Sequence, residues 1–349
     1  MKISLLSAWN TDSGAGMHAE MIGREWLKMG HEISVFSFIK TDFHGKTFLR
    51  EDEPYVTRCF GTPRTNFFDP RPIIQNPTEV VVVEDLGMLP KDELAKIFSV
   101  LKERSKTINV IHDNKLSPDP SFWQFNWDKV VIFDENYRNI FKNVYPKEIL
   151  EIIPYPCAFW KDGDKKEARE KLNLPQDKKI IFVFSWWAKH FIPHLPVIEK
   201  LSEKYPLYLL VVSQDIAVKN EFLDIEKENL KVEFREEFPS QEKLYDYLHA
   251  ADVYVFGAKP TEGVVVCSSA LMTIGSGCPI ITPDINFFET FKNEVIKYKN
   301  EEELEKGIIS VFEKNELYKK TIEAAKNFVE KNNPRVIAEK FIKLFESLR

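Results

Sequence analysis

The sequence predicts an α/β protein built from two parallel-sheet domains. Three observations predict it. Short apolar runs, each the length of a buried strand, alternate with amphipathic helical stretches in both halves of the chain. The alternation breaks once, at Pro154-Tyr155-Pro156, and the stretch from Ala158 to Gln176 carries Gly, Pro and the charged helix KKEAREKLNLP, a composition suited to an inter-domain connection. Finally, 349 residues of which 44% are apolar suffice for two cores of ordinary size. The expected division is 1–155, 156–330 and a last helix within 331–349.

Lys2–Ser7 reads as the first buried strand, and Trp9–Gly16 (WNTDSGAG) as a loop of turn formers. A helix follows with Ala19, Ile22, Trp26 and Met29 on one face; Gly30 ends it, and His31–Phe38 is the next strand. The loop is not G-x-G-x-x-G, so the dinucleotide fingerprint is absent. Gly14 and Gly16 either admit a ligand to the backbone or serve a tight strand-to-helix turn. Phe43–Pro77 is an irregular, Pro- and Phe-rich excursion with a strand at Tyr55–Phe60. Further strands are expected at Val80–Val83 (ending in Glu84-Asp85), Thr107–Ile111, Lys129–Phe133 and Ile149–Ile153, with a helix at Asp92–Glu103. The second series places strands at Lys179–Phe184, Leu207–Val212, Leu230–Phe234, Val253–Phe256 and Pro279–Thr282. Beyond Glu301 the chain is helical, and Ile337, Phe341, Leu344, Phe345 and Leu348 form one apolar stripe.

The net charge of −6 and the lack of a dense Lys/Arg block argue against a nucleic-acid binder. Met1–Leu5 does not open a signal peptide, and no apolar run approaches transmembrane length. The four cysteines are widely spaced and fit no metal or redox motif, which suits a reduced cytoplasm. The basic helix around Lys91, Lys96, Lys102, Arg104 and Lys106 is interspersed with Asp92, Glu93 and Glu103; a solvated face explains it more simply than a membrane surface.

In parallel sheets the chemistry sits at the carboxyl ends of strands. His112-Asp113-Asn114 occupies such a position, as either cleft or cap residues. Lys189, after Lys179–Phe184, can hold a phosphate as a point charge, and Trp186 or Trp187 can stack on a base or sugar or pack in the core. Glu262 follows the strand Val253–Phe256 and precedes Gly263 and an expected helix start. There it faces a ligand beside unpaired helix N–H groups, or it complements the dipole of a helix capped by Thr261. His190 and His194 lack the H-E-x-x-H pattern, so no metal site is expected. Neither a P-loop nor a G-x-S-x-G elbow is present.

On SGAGMHAEMIGREWLKMGHEISVFS, VIHDN, IIPYPCAFW followed by AREKLNLPQDKKIIFVFS, AADVYVFGAKPTEG and GSGCPIIT, nearly the whole chain resembles the GT-B glycosyltransferases, family 4 of the retaining enzymes in particular. The resemblance implies two Rossmann-like domains facing across a cleft: 1–155 for the acceptor, 156–330 for the nucleotide-sugar donor, and 331–349 packing back on the first. It implies transfer of a sugar from a nucleotide-diphosphate sugar to a hydroxyl of a sugar, glycolipid or glycan, with retention and with no obligatory metal or cofactor. Glu262 matches the first Glu of the family's E-x7-E motif. The second falls on Ala270, or on Met272 when Gly277-Cys278-Pro279 is aligned, leaving Ser268 or Ser269 to take the ribose. Lys189 matches the diphosphate-gripping Lys, while Ser185 or Trp186 stands at the family's Arg, and Ser213-Gln214-Asp215 replaces a usual glycine. By the same analogy Gly263 approaches the donor, His112 lines the sugar site, and Asp113, with the Gly14–Gly16 loop, serves acceptor or sugar hydroxyls. The departures favour one alternative, a catalytically silent nucleotide- or sugar-binding protein on this fold. Another GT-B enzyme, a phosphorylase or a nucleotide-sugar epimerase, is the third reading. The expected location is cytoplasmic, with peripheral attachment to the inner membrane face left open.

Overall fold

The computed structural model describes residues 1–185 and 188–349. The first sheet has seven strands: β1 (Lys2–Leu6), β2 (Glu32–Phe38), β3 (Val56–Phe60), β4 (Val80–Glu84), β5 (Lys106–Val110), β6 (Lys129–Ile132) and β7 (Leu150–Ile152). All pairings are parallel, in the order β3-β2-β1-β4-β5-β6-β7. The second has six: β8 (Lys179–Phe184), β9 (Leu207–Val212), β10 (Leu230–Arg235), β11 (Val253–Val255), β12 (Ile280–Pro283) and β13 (Ile296–Tyr298). It too is parallel, in the order β10-β9-β8-β11-β12-β13. Strand order reverses direction between β1 and β4 in one sheet and between β8 and β11 in the other. Such switch points open crevices beyond the carboxyl ends of the strands.

The chain divides into two compact units. One comprises 1–156, 262–265 and 332–349; the other comprises 157–261 and 266–331. The four-residue return at 262–265 was not foreseen from the sequence. Neither was β13, because Ile296-Lys297-Tyr298 is too short and too interrupted by lysine to register as an apolar run.

Local choices match the elements. Val80–Val83 is a continuous β-branched run, fully buried as a central parallel strand must be. Ser13 caps the helix Gly14–Lys28, accepting from the Gly16 amide, and Gly30 follows its end at φ 84°. The last helix, Pro334–Ser347, belongs to the first unit and packs on Gly14–Lys28. Phe341 and Phe345 set their rings edge-on to Trp26 at 5.8 and 5.4 Å, and the Trp26 indole donates to the Ala338 carbonyl at 3.2 Å. In the second unit, Ile181, Leu209, Val253 and Ile281 of the sheet pack with Phe191, Ile198, Phe222 and Ile308 from the flanking helices and turns.

Candidate functional site

At the β1/β4 switch point the first sheet ends in a buried polar cluster. Glu84 is the last residue of β4 and its side chain is fully enclosed. His18, on the buried face of the helix Gly14–Lys28, holds Nδ1 3.0 Å from both Glu84 oxygens. His112, just past β5, places Nε2 2.8 Å from Glu84 Oε2 and keeps 11% of its side chain exposed. The imidazoles meet edge-on at 5.2 Å, walled by Phe133 and Tyr155. Burial pushes the Glu84 carboxyl up while the hydrogen bond and charge of His112 oppose it. Burial also lowers both imidazoles, that of His18 to about 3; Glu84 opposes the shift at His112.

The next residue, Asp85, turns the chain through φ 56°, ψ 85°, and its Oδ1 accepts from the Gly87 amide at 3.2 Å. A left-handed aspartate costs on the order of 1 kcal/mol and clusters at functional sites. Asp113 lies against the same turn: a Cβ on Gly87 would sit 3.1 Å from Asp113 Oδ1 and 3.2 Å from Asp85 Oδ1. Burial pushes both carboxyls up, and in Asp85 the neighbouring Asp113 adds to it. Gly14 and Gly16 open the helix that carries His18. The Gly14 carbonyl accepts from Tyr155 at 2.6 Å, and a Cβ on Gly16 would press to 3.2 Å from the Ala8 carbonyl oxygen. Close packing therefore accounts for Gly16.

The return segment 262–265 lies on the loop after β5. The Val264 amide donates to the Asn114 carbonyl at 2.9 Å, and the Asn114 side chain donates to the Glu262 carbonyl at 3.1 Å. Gly263 adopts φ 73°, and a Cβ there would fall 2.0 Å from the Asn114 oxygen, so only glycine fits. The Glu262 carboxylate is 89% exposed and pairs with Lys115 at 3.5 Å. One expectation is corrected here. The helix begins not behind Gly263 but at Ser268, and Thr261 does not cap it: its amide and carbonyl bond to Asn286, while its hydroxyl is buried without a partner. The residues after Gly263 are held away from helical geometry by the hydrogen bond to Asn114. Ser268 and Ser269 open that short helix, half-buried, with Ser269 Oγ 3.3 Å from Cys267 Sγ. Ala270, at the position of the second glutamate of the E-x7-E motif, is buried.

In the second unit the β8/β11 switch point carries cations. Lys189 is exposed in the turn Ala188–His190 after β8. Trp186 lies outside the described residues. Gly257, past β11, runs so close that a Cβ would lie 2.6 Å from the Phe191 backbone, which sets the β11 exit against that turn. Burial, then the charges of Lys259 and Lys189, lower the His190 imidazole. Lys259 thus joins Lys189, an association the sequence conceals because 70 residues separate them.

Among the described residues His18, Glu84 and His112 are the one His/carboxylate group compact enough to suggest a metal, with ligand atoms within 4.8 Å of one another. Tetrahedral zinc at about 2.0–2.1 Å holds its ligands roughly 3.3 Å apart, whereas the contacts to Glu84 are 2.8 and 3.0 Å. His18 Nε2 also lacks the outer partner that a ligating imidazole has. The geometry is that of hydrogen bonds to a carboxylate.

No family model matches the chain. Solved structures do resemble it. A sucrose-phosphate synthase from Thermosynechococcus elongatus matches over 100% of this chain and 99% of its own, with 14% identity and a TM-score of 0.69. A glycosyltransferase from Rickettsia africae matches over 99% and 98%, with 15% identity and a TM-score of 0.68. An α,α-trehalose-phosphate synthase (UDP-forming) from Burkholderia vietnamiensis matches over 99% and 99%, with 10% identity and a TM-score of 0.65. The fold is that of the GT-B glycosyltransferases, with two all-parallel α/β sheets of seven and six strands.

Proposed function

We propose that this protein is a glycosyltransferase that moves a sugar from a nucleotide-diphosphate sugar to an acceptor hydroxyl with retention. The observation that carries the reading is the matched pair of switch points on this fold: acids and imidazoles end β4 and β5, and lysines follow β8 and β11. In this reading the second unit is the donor domain. Lys189 and Lys259 hold the diphosphate and stabilise the charge that develops on it as the glycosidic bond breaks. Ser268 and Ser269 take the ribose in place of a second glutamate. The first unit is the acceptor domain. His112, Asp113 and Glu262 accept hydrogen bonds from hydroxyls of the sugars, and the leaving phosphate takes the acceptor proton. No step calls on a metal. Among the described residues no helix is long and apolar enough to cross a membrane; the four cysteines are buried and unpaired, in keeping with a cytoplasmic, nucleotide-sugar-rich setting.

The second reading is a silent nucleotide- or sugar-binding protein on this fold, favoured by Ala270 in place of the second glutamate. One experiment separates the two. UDP, GDP and ADP and their glucose conjugates are screened by thermal shift and calorimetry, and release of nucleoside diphosphate is then followed for any conjugate that binds. The proposal expects binding and turnover. Binding without turnover on any acceptor selects the second reading, and no binding removes both.

A further inference from the structure

Glu84 and His18, joined to His112 by hydrogen bonds, determine what His112 can do. An ionised carboxylate only accepts hydrogen bonds. Glu84 faces two ring nitrogens, His18 Nδ1 at 3.0 Å and His112 Nε2 at 2.8 Å, and in the ionised form both contacts are satisfied at once only if both nitrogens carry hydrogen. A protonated Glu84 would donate to one ring and accept from the other, so two N–H donors mark the ionised form. Burial disfavours the carboxylate, and two imidazole donors aimed at it are the available compensation. The partnership is rigid, because the residues come from a helix, a strand end and the loop after the neighbouring strand, and Phe133 and Tyr155 pack against both rings.

From this geometry we infer that Glu84 is a positioning residue: it locks His112 as the Nε2–H tautomer, so that Nδ1 meets the substrate as a hydrogen-bond acceptor, while His18, locked as Nδ1–H, supports Glu84 from behind. His112 Nδ1 makes no hydrogen bond to a described residue and, unlike His18 Nε2, is not sealed from solvent. The partner it selects is a donor, which among sugar substituents means a hydroxyl. Deoxy and fluoro groups at that position cannot donate and are discriminated against. The inference rests on the proposed role of His112 at the sugar.

The test uses the full chain labelled with 15N-histidine, with tautomers read from long-range proton–nitrogen spectra of the imidazoles at neutral pH. The wild-type protein is expected to show His112 as Nε2–H and His18 as Nδ1–H. His18 is the sharper readout, since free histidine favours the other form. Glu84→Gln offers one acceptor and one donor, so one of the two rings must switch tautomer; Glu84→Asp restores both wild-type forms. In turnover Glu84→Gln lowers kcat by roughly tenfold or more, the cost of losing an outer partner of a functional histidine, with KM within about twofold, and Glu84→Asp recovers part of it. Nδ1–H on His112 in the wild-type protein, or unchanged tautomers and kcat in Glu84→Gln, overturns the inference, and the wild-type spectrum decides even if the variants do not fold. Normal turnover in His112→Ala would instead overturn the role of His112 at the sugar while leaving the tautomers as found.

Discussion

At the scale of single residues, the reading stands on charges at strand ends. Lys189→Ala and Lys259→Ala should each weaken nucleoside-diphosphate binding by about 1.5–3 kcal/mol, the scale of a hydrogen bond to a charged group, with little change in thermal stability because both side chains are exposed. Calorimetry at matched salt measures this, and unchanged affinity removes the lysine concerned from the site. Glu262→Gln keeps shape and an acceptor but removes charge. Transfer should fall by roughly 10²-fold while bare nucleotide binds as before, the range for one lost electrostatic group; an unaltered rate per folded molecule would reduce Glu262 to the partner of Lys115. Strand-end position singled out His112, Asp113, Lys189 and Glu262 in the sequence as candidates. Glu84 was visible as the end of an apolar run, but nothing local said that two imidazoles face it. His18 had a usable signal: it sits one position before Ala19 and four before Ile22, on the face that buries Trp26, and a polar side chain there must find a partner.

At the scale of elements, strands and helices were legible because their periodicity is local, and the miss at Thr261-Glu262-Gly263 shows where that ends. The triplet has the look of a helix cap, yet a long-range bond from Val264 to Asn114 decides its conformation. Gly263→Ala should therefore detach the segment from its loop. Fitting a side chain at positive φ costs about 1–3 kcal/mol, and amide exchange at Val264 should rise well before global stability falls; protection at the wild-type level would show that the clash relaxes locally. Electrostatics at the element scale are illustrated by Glu53, which ties Trp9 and Asn10, ahead of the helix Gly14–Lys28, to Arg24 in its second half. Burial alone would raise this carboxyl, but hydrogen bonds from Trp9, Arg24 and Asn10 outweigh burial and hold it at about 2. Its stabilising contribution is complete above its ordinary value of 4.5 and is lost as pH falls toward about 2. Glu53→Gln should flatten the acid limb of the unfolding free energy across that window, and an unchanged limb would assign acid sensitivity elsewhere.

At the scale of the whole molecule, the twofold alternation of strands and helices disclosed the fold class, and the family resemblance placed the last helix on the first unit, while the return of 262–265 to that unit stayed hidden because no local pattern says which unit a passing segment joins. The first unit is assembled from three separated stretches, and its last piece is the helix Pro334–Ser347. Removing residues 332–349 uncovers Trp26, so calorimetry should show earlier melting of the first unit with the second unmoved. A peptide of those residues added in trans should restore the lost transition, and melting of both units together would contradict the division. Phe341→Ala is the point version, expected to cost about 3–5 kcal/mol as a buried aromatic truncation. The same wiring has a consequence during synthesis. At roughly 5–20 residues per second, about 10–40 s separate the emergence of residue 156 from that of the helix that completes the first sheet's cover. Through that interval the nascent chain leaves the apolar face around Trp26 without the helix that covers it, so the half of the protein made first is finished last.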